Sequence, residues 1–183
     1  MERAAELFAA RGIAATSVDE VIAAAGAGKG QFYHYFRGRD ERAAAAVGYR
    51  CAQVIAGLTE ALGGVSSLAA LERALAGFVA GFEESGMPGC PIGTLAAEVA
   101  GRNEEARLQA AAGLDAWERL LAGALERMRQ HGELRADADP AVLATGLLAS
   151  IEGGMVLSQA RKDMTSLRIA VEAGLARVRG CPS

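Results

Sequence analysis

Apolar positions recur at helical spacing along this chain, broken by glycine, proline and capping residues. Over residues 2–11, Ala5, Leu7, Phe8 and Ala9 form an apolar stripe among charged positions, and Gly12 supplies a carboxy-terminal cap. Ser17-Val18-Asp19-Glu20 has the spacing of a capping box, in which the Ser17 hydroxyl serves the third amide and Glu20 returns to the Ser17 amide. A short helix is therefore predicted over 18–25, ended by Gly26. After Gly26-Ala27-Gly28 comes a compact segment, 29–36, with Phe32 and Phe36 four apart on one face. Gly38 interrupts the pattern, and a longer helix is predicted from about 39 to 62.

Gly63-Gly64 with Ser66-Ser67 is a strong loop signal and a candidate domain boundary. Beyond it, Leu68, Leu71, Leu75, Phe78 and Phe82 resume helical spacing. Residues 86–91 must form a loop, a short helix follows over 92–100, and Asn103 caps a long helix to about 130. That helix carries Leu114, Trp117, Leu121, Leu125 and Met128 on one stripe. Asp139-Pro140 pairs a capping acid with proline at the first helical position. Leu147, Ile151 and Met155 then recur at steps of four, and Thr165 caps a last helix with Leu167, Val171, Leu175 and Val178. No strand pattern and no repeat interrupts this order. About nine helices and an all-α fold are expected, and 41 alanines in 183 residues favour that choice over strands.

Composition removes several function classes. Two histidines and three cysteines leave little for a metal site, and the odd cysteine count gives no disulfide framework and points to a reducing cytoplasm. The uninterrupted apolar runs fall short of the ~18 residues that a membrane span needs, so no membrane partner is expected. Gly26-Ala27-Gly28-Lys29-Gly30 follows a helix rather than a strand, lacks Ser or Thr after Lys29 and has Ala23 where a phosphate loop needs glycine. No nucleophile elbow is present, so an enzyme is not expected, and no cofactor is implied.

The net charge of −3 argues against a nucleic-acid partner until the chain is divided. Residues 1–47 are neutral, with six basic and six acidic side chains, and Lys29, Arg37, Arg39 and Arg42 cluster within 28–42. Because salt screens charge beyond about 8 Å, such a cluster matters more to a phosphate than the total does. Helix, capping box, short helix, glycine turn and second short helix are the parts of a helix-turn-helix. Phe32 and Phe36 suit the core face of its second helix. Lys29, Gly30, Gln31, Tyr33 and His34 remain for an outer face that enters a major groove about 12 Å wide. Gly30 allows close backbone approach, Gln31 can bond adenine bidentately, and Lys29, Tyr33 and His34 suit phosphate oxygens.

Glu6-Leu7-Phe8, Arg11-Gly12, Ala15-Thr16-Ser17-Val18, Ile22-Ala23, Ala25-Gly26 and the run Gly28 to Phe36 together resemble the DNA-binding domain of TetR/AcrR transcriptional regulators over residues 1–47. Gly89-Cys90-Pro91-Ile92-Gly93-Thr94-Leu95 and Glu152-Gly153-Gly154 resemble the carboxy-terminal domain of the LmrA/YxaF-like branch. The resemblance implies a DNA-binding domain over 1–47 and a ligand-binding and dimerisation domain over 48–183, in a cytoplasmic homodimer. It implies DNA contacts at Thr16, Ser17, Gly28, Lys29, Gly30, Gln31, Tyr33, His34 and Arg39. Gly28 stands where the family usually has serine, Gln31 where it has threonine or serine, and Gly38-Arg39 where it has Ser-Lys. Family members carry a basic arm in the region where this sequence begins.

The implied mechanism is an operator-bound repressor released by a small hydrophobic effector. Two recognition helices would meet half-sites about one helical turn apart. Effector walls are expected at Phe78, Phe82, Leu95, Trp117 and Leu121, with Glu152 as a polar partner. Trp117 reads first as ordinary core and second as a pocket wall, and Glu152 equally as exposed, ion-paired or ligand-facing. Cys90 is a loop, pocket or redox residue. The dimer is expected to pair Leu147, Ile151 and Met155 with Leu167, Val171 and Leu175 across a two-fold axis. The rival reading is a helical interaction or ligand-binding protein without a DNA role.

Overall fold

The signals that interrupt the apolar pattern are where the helices begin and end. In the computed structural model, which describes residues 3, 4, 7, 16–86, 89–99, 101 and 103–181, eight helices follow one another and no strand occurs among the described residues. They are α1 (Val18–Ala25), α2 (Lys29–Tyr35), α3 (Arg39–Leu62), α4 (Leu68–Glu84), α5 (Pro91–Val99), α6 (Glu104–Gln130), α7 (Pro140–Arg161) and α8 (Thr165–Arg179). Residues 3, 4 and 7 are helical, and the rest of the helix expected over 2–11, with its Gly12 cap, lies outside the described residues.

The caps follow the chemistry of the sequence with one exception. The Asp139 side chain accepts from the amides of Ala141 and Val142, and Pro140 sits in the first turn of α7. At α8, Thr165 is the first helical residue rather than the cap. Asp163 accepts from both its amide (3.1 Å) and its hydroxyl (2.9 Å).

The chain forms two compact units, 1–55 with 91–114, and 56–90 with 115–183. This division departs from the cut expected at residue 47, and the Gly63-Gly64 turn lies inside the second unit. The reason is packing between segments distant in sequence. In the first unit, the start of α6 is bonded to α3: Asn103 Nδ2 donates to the Asp40 carbonyl (2.8 Å), and Cys51 Sγ lies 3.7 Å from the Gln109 carbonyl. Both α3 and α6 run on as continuous helices, so a boundary drawn in sequence order cannot follow the contacts.

In the second unit, α7 and α8 pack on each other at glycines. A Cβ on Gly154 would lie 2.8 Å from Ala170 Cβ and 3.0 Å from Leu167 Cα, and one on Gly174 would lie 2.6 Å from Leu147 Cδ1. The buried Ser158 hydroxyl accepts from the Leu167 amide (2.9 Å) across this crossing. Arg127 closes the end of α3 by donating to the carbonyls of Leu62 (2.7 Å) and Val65 (2.9 Å).

This crossing corrects the expected dimer contacts. Leu147, Ile151, Met155, Leu167, Val171 and Leu175 are all buried inside the single chain. Leu147 and Leu167 meet at this crossing, and Val171 and Leu175 face α4, so these side chains are taken up within the protomer. The apolar side chains exposed on the same helices are Val142, Val156, Leu157 and Ile169. A second correction concerns hydropathy: α7, at 22 residues, is long and apolar enough to cross a membrane by length and composition. Glycine, alanine and serine break its strongly apolar runs without making it polar. Its inward side is core, with Leu143, Ala144, Leu147 and Ile151 buried.

Candidate nucleic-acid interface

The first unit builds a rigid turn before it presents a helix. Glu20 accepts from the Ser17 amide (2.9 Å) and hydroxyl (2.7 Å), while the Glu20 amide reaches Ser17 Oγ (3.2 Å), so both halves of the capping box are made. Gly26 ends α1 in the left-handed conformation, φ 61°, which lets the Ala27 amide return to the Ile22 carbonyl (3.1 Å). The chain is thereby turned into α2 within a few residues. Gly28 occupies its N-cap with no side-chain bond.

Helix α2 is anchored by its aromatic side. Phe32 and Phe36, with ring centroids 5.2 Å apart, are buried in a cluster with Ala4, Val21 and Ala46. Tyr33 meets the Phe32 ring edge-on at 5.4 Å yet stays 56 % exposed. Lys29, Gly30, Gln31 and His34 are also exposed, and the space above Gly30 is open. These five residues thus share the accessible part of one short helix whose other part is core.

Other expected contacts fare differently. Ser17 is exposed, but its hydroxyl is engaged in the capping box. Thr16 is only 5 % exposed, which corrects its assignment to the contact surface. Arg39 opens α3, and its side chain lies outside the described residues. Two features escaped the sequence reading. Tyr35 is 48 % exposed and stands four residues after Gln31, a spacing that could have placed it on the outer face. Lys29 forms an ion pair with Asp19 of α1 (3.2 Å), with both side chains over 70 % exposed. Only the turn geometry brings those two together, and a phosphate can displace so solvated a pair cheaply.

In the second unit, the rings of Phe78 and Trp117 pack at a tilt of 58°, with centroids 5.7 Å apart. Trp117, Leu121 and Phe82 are buried. Leu95 belongs to the first unit, and its side chain lies outside the described residues. Glu152 has an oxygen, Oε1, buried without a hydrogen-bond partner. Burial pushes the Glu152 carboxyl above its ordinary range, and a hydrogen bond from the Cys90 thiol acts in the opposite direction.

A helix-turn-helix followed by a helical carboxy-terminal region also defines the matching families. Residues 1–46 match the model for bacterial regulatory proteins of the tetR family, and residues 65–173 match the tetracyclin repressor-like C-terminal domain. The chain belongs to the TetR family. This TetR-family regulator is 32 % identical to an HTH-type transcriptional regulator of Mycobacterium tuberculosis strain H37Rv, Rv0196, over 90 % of this chain and 84 % of that one. It is 29 % identical to the HTH-type regulator YxaF of Bacillus subtilis, over 94 % and 89 %. Among solved structures, a regulatory protein TetR from Rhodobacter sphaeroides superposes with a TM-score of 0.73 at 27 % identity, covering 96 % of this chain and 95 % of that one. The reduced form of NemR from E. coli gives 0.70 at 26 %, covering 97 % and 92 %. The protein is therefore a transcriptional regulator with an amino-terminal DNA-binding domain, and its family and relatives are regulators rather than enzymes.

Proposed function

We propose that this TetR-family regulator is an operator-binding repressor, acting in the cytoplasm as a homodimer and released by a small hydrophobic effector. The observation that carries the reading is the division of α2 into a buried aromatic side and an exposed side bearing Lys29, Gly30, Gln31, Tyr33 and His34. A helix anchored in this way can enter a major groove without rearranging its own core. Gln31 is assigned to a base edge and Lys29 to a phosphate.

The effector reading rests on the second unit. The tilted Phe78–Trp117 pair, together with the buried Phe82 and Leu121, is assigned here to the effector wall, and the Glu152 oxygen without a protein partner to an acceptor for a cationic or hydroxylated ligand. An effector with higher affinity for a conformation that fits the operator poorly would shift the population away from DNA. For the dimer, α7 is apolar on two sides, and the side not used for the core carries Val142, Val156 and Leu157. With Ile169 of α8 they form the surface assigned here to the two-fold partner.

The deciding experiment selects DNA fragments with the purified protein and sequences them. A recovered pseudo-palindrome bound with a steep inverse dependence on salt supports the reading. Recovery of no preferred sequence, with binding insensitive to salt, would favour a helical interaction protein.

A further inference from the structure

Asn103 uses both ends of its amide in one place. Its Oδ1 accepts from the Ala106 amide (2.9 Å), capping α6, and its Nδ2 donates to the Asp40 carbonyl (2.8 Å) in the first turn of α3. The residue is only 9 % exposed, and Ala106 beside it is fully buried. The neighbours fix the orientation of the amide, because one offers only a donor and the other only an acceptor. A carbonyl has two lone pairs, so Asp40 can accept this bond without giving up its helical one. The cap was legible in the sequence, whereas the bond to residue 40 was not.

The position of Asp40 gives the bond its consequence. Helix α2 ends at Tyr35 and α3 begins at Arg39. The connection between them is held by local bonds: the Arg37 amide donates to Glu41 Oε2 (2.5 Å), and Arg42 Nε donates to the Gly38 carbonyl (3.2 Å). A displacement of the first turn of α3 is thus passed to the end of α2 through a short, bonded connection. At its other end, the Asn103 bond is fixed to the start of α6, the helix that further along carries Trp117 and Leu121.

We propose that Asn103 is a positioning residue for DNA binding, tying the start of α6 to the first turn of α3 so that the state of α6 and the placement of the recognition helix depend on each other. This rests on the DNA-binding reading above. Such a dependence is reciprocal: operator binding must alter α6 as much as a change in α6 alters operator affinity.

The test uses the full chain, an operator duplex recovered by selection, and Trp117, the single tryptophan. Asn103→Asp keeps an oxygen for the α6 cap and has no donor for the Asp40 carbonyl; Asn103→Ser also keeps the cap, and its one donor, a hydroxyl one bond nearer the backbone than Nδ2, falls short of that carbonyl. In the wild type, saturating operator changes Trp117 emission. In both variants, operator affinity falls by roughly three- to tenfold, the scale of one lost hydrogen bond, and the emission change at saturating DNA disappears. Unchanged affinity with an unchanged emission response overturns the inference. So does a wild-type emission that ignores operator altogether, or a large loss of thermal stability in both variants, which would make Asn103 a folding residue only. A wild type that binds no selected DNA would instead overturn the DNA-binding reading, and that outcome is read before any variant is made.

Discussion

At the scale of single residues, Gln31 and Lys29 are both exposed on α2, yet their assigned chemistry predicts different behaviour. A base contact is lost only at the sequence that it reads. Gln31→Ala should cost about 1–3 kcal/mol on the preferred operator and relax one position of the site. Lys29→Ala should weaken all DNA sequences alike and lower the salt slope by about one. Repeating the selection with each variant measures both effects, and an unchanged site preference in Gln31→Ala removes the base contact from the assignment. Glu152 makes a prediction in pH. Its carboxyl is raised in the folded chain by burial, so the unfolded chain releases that proton first as pH rises. Its contribution therefore favours folding below the ordinary carboxylate range and is lost as pH climbs toward the raised value. Glu152→Gln removes this term. The Tm of the variant minus that of the wild type should increase with pH over the acid range and then level off; a pH-independent difference would contradict the burial argument.

At the scale of elements, local signals set the helix ends, and their energies are individually small. The Ser17 capping box is exposed but complete, with bonds in both directions. Ser17→Ala should lower stability by about 1 kcal/mol in urea unfolding. Operator affinity should fall as well, because the capped helix α1 supplies Val21 to the core beneath α2. A loss of affinity with no loss of stability would instead assign Ser17 a direct contact with DNA. The α7–α8 crossing works differently. Gly154 and Gly174 contribute by lacking a Cβ where Leu167 and Leu147 approach, so no propensity scale would mark them as favourable.

At the scale of the whole molecule, the apolar surface of α7 and α8 divides into two populations. Ile151 is fully buried, and Ile169 is 64 % exposed. Ile151→Glu places an unpaired charge in the protomer core and should unfold it or lower its Tm steeply. Ile169→Glu should leave the protomer folded and shift sedimentation toward monomer, with weaker operator binding because two half-sites are no longer engaged together. An intact dimer in the Ile169→Glu variant would place the partner surface elsewhere.

What the sequence determined alone was local. The capping box at Ser17, the glycine stop at Gly26, the Asp139-Pro140 start and the aromatic pair in α2 each depend on residues within a turn of one another, and the chemistry of those residues is enough to specify them. The outer face of α2 was legible for the same reason, since one helical period assigns both sides. Contacts between distant segments decided the rest. Periodicity shows that Leu147, Ile151 and Met155 share a face, but not whether that face meets the chain's own α8 or a second molecule. Likewise, nothing local joins Asn103 to Asp40 or Lys29 to Asp19. Those pairings arise only when the turns and helix crossings are in place, because a side chain's partner is set by the path of the backbone and its burial by everything packed around it.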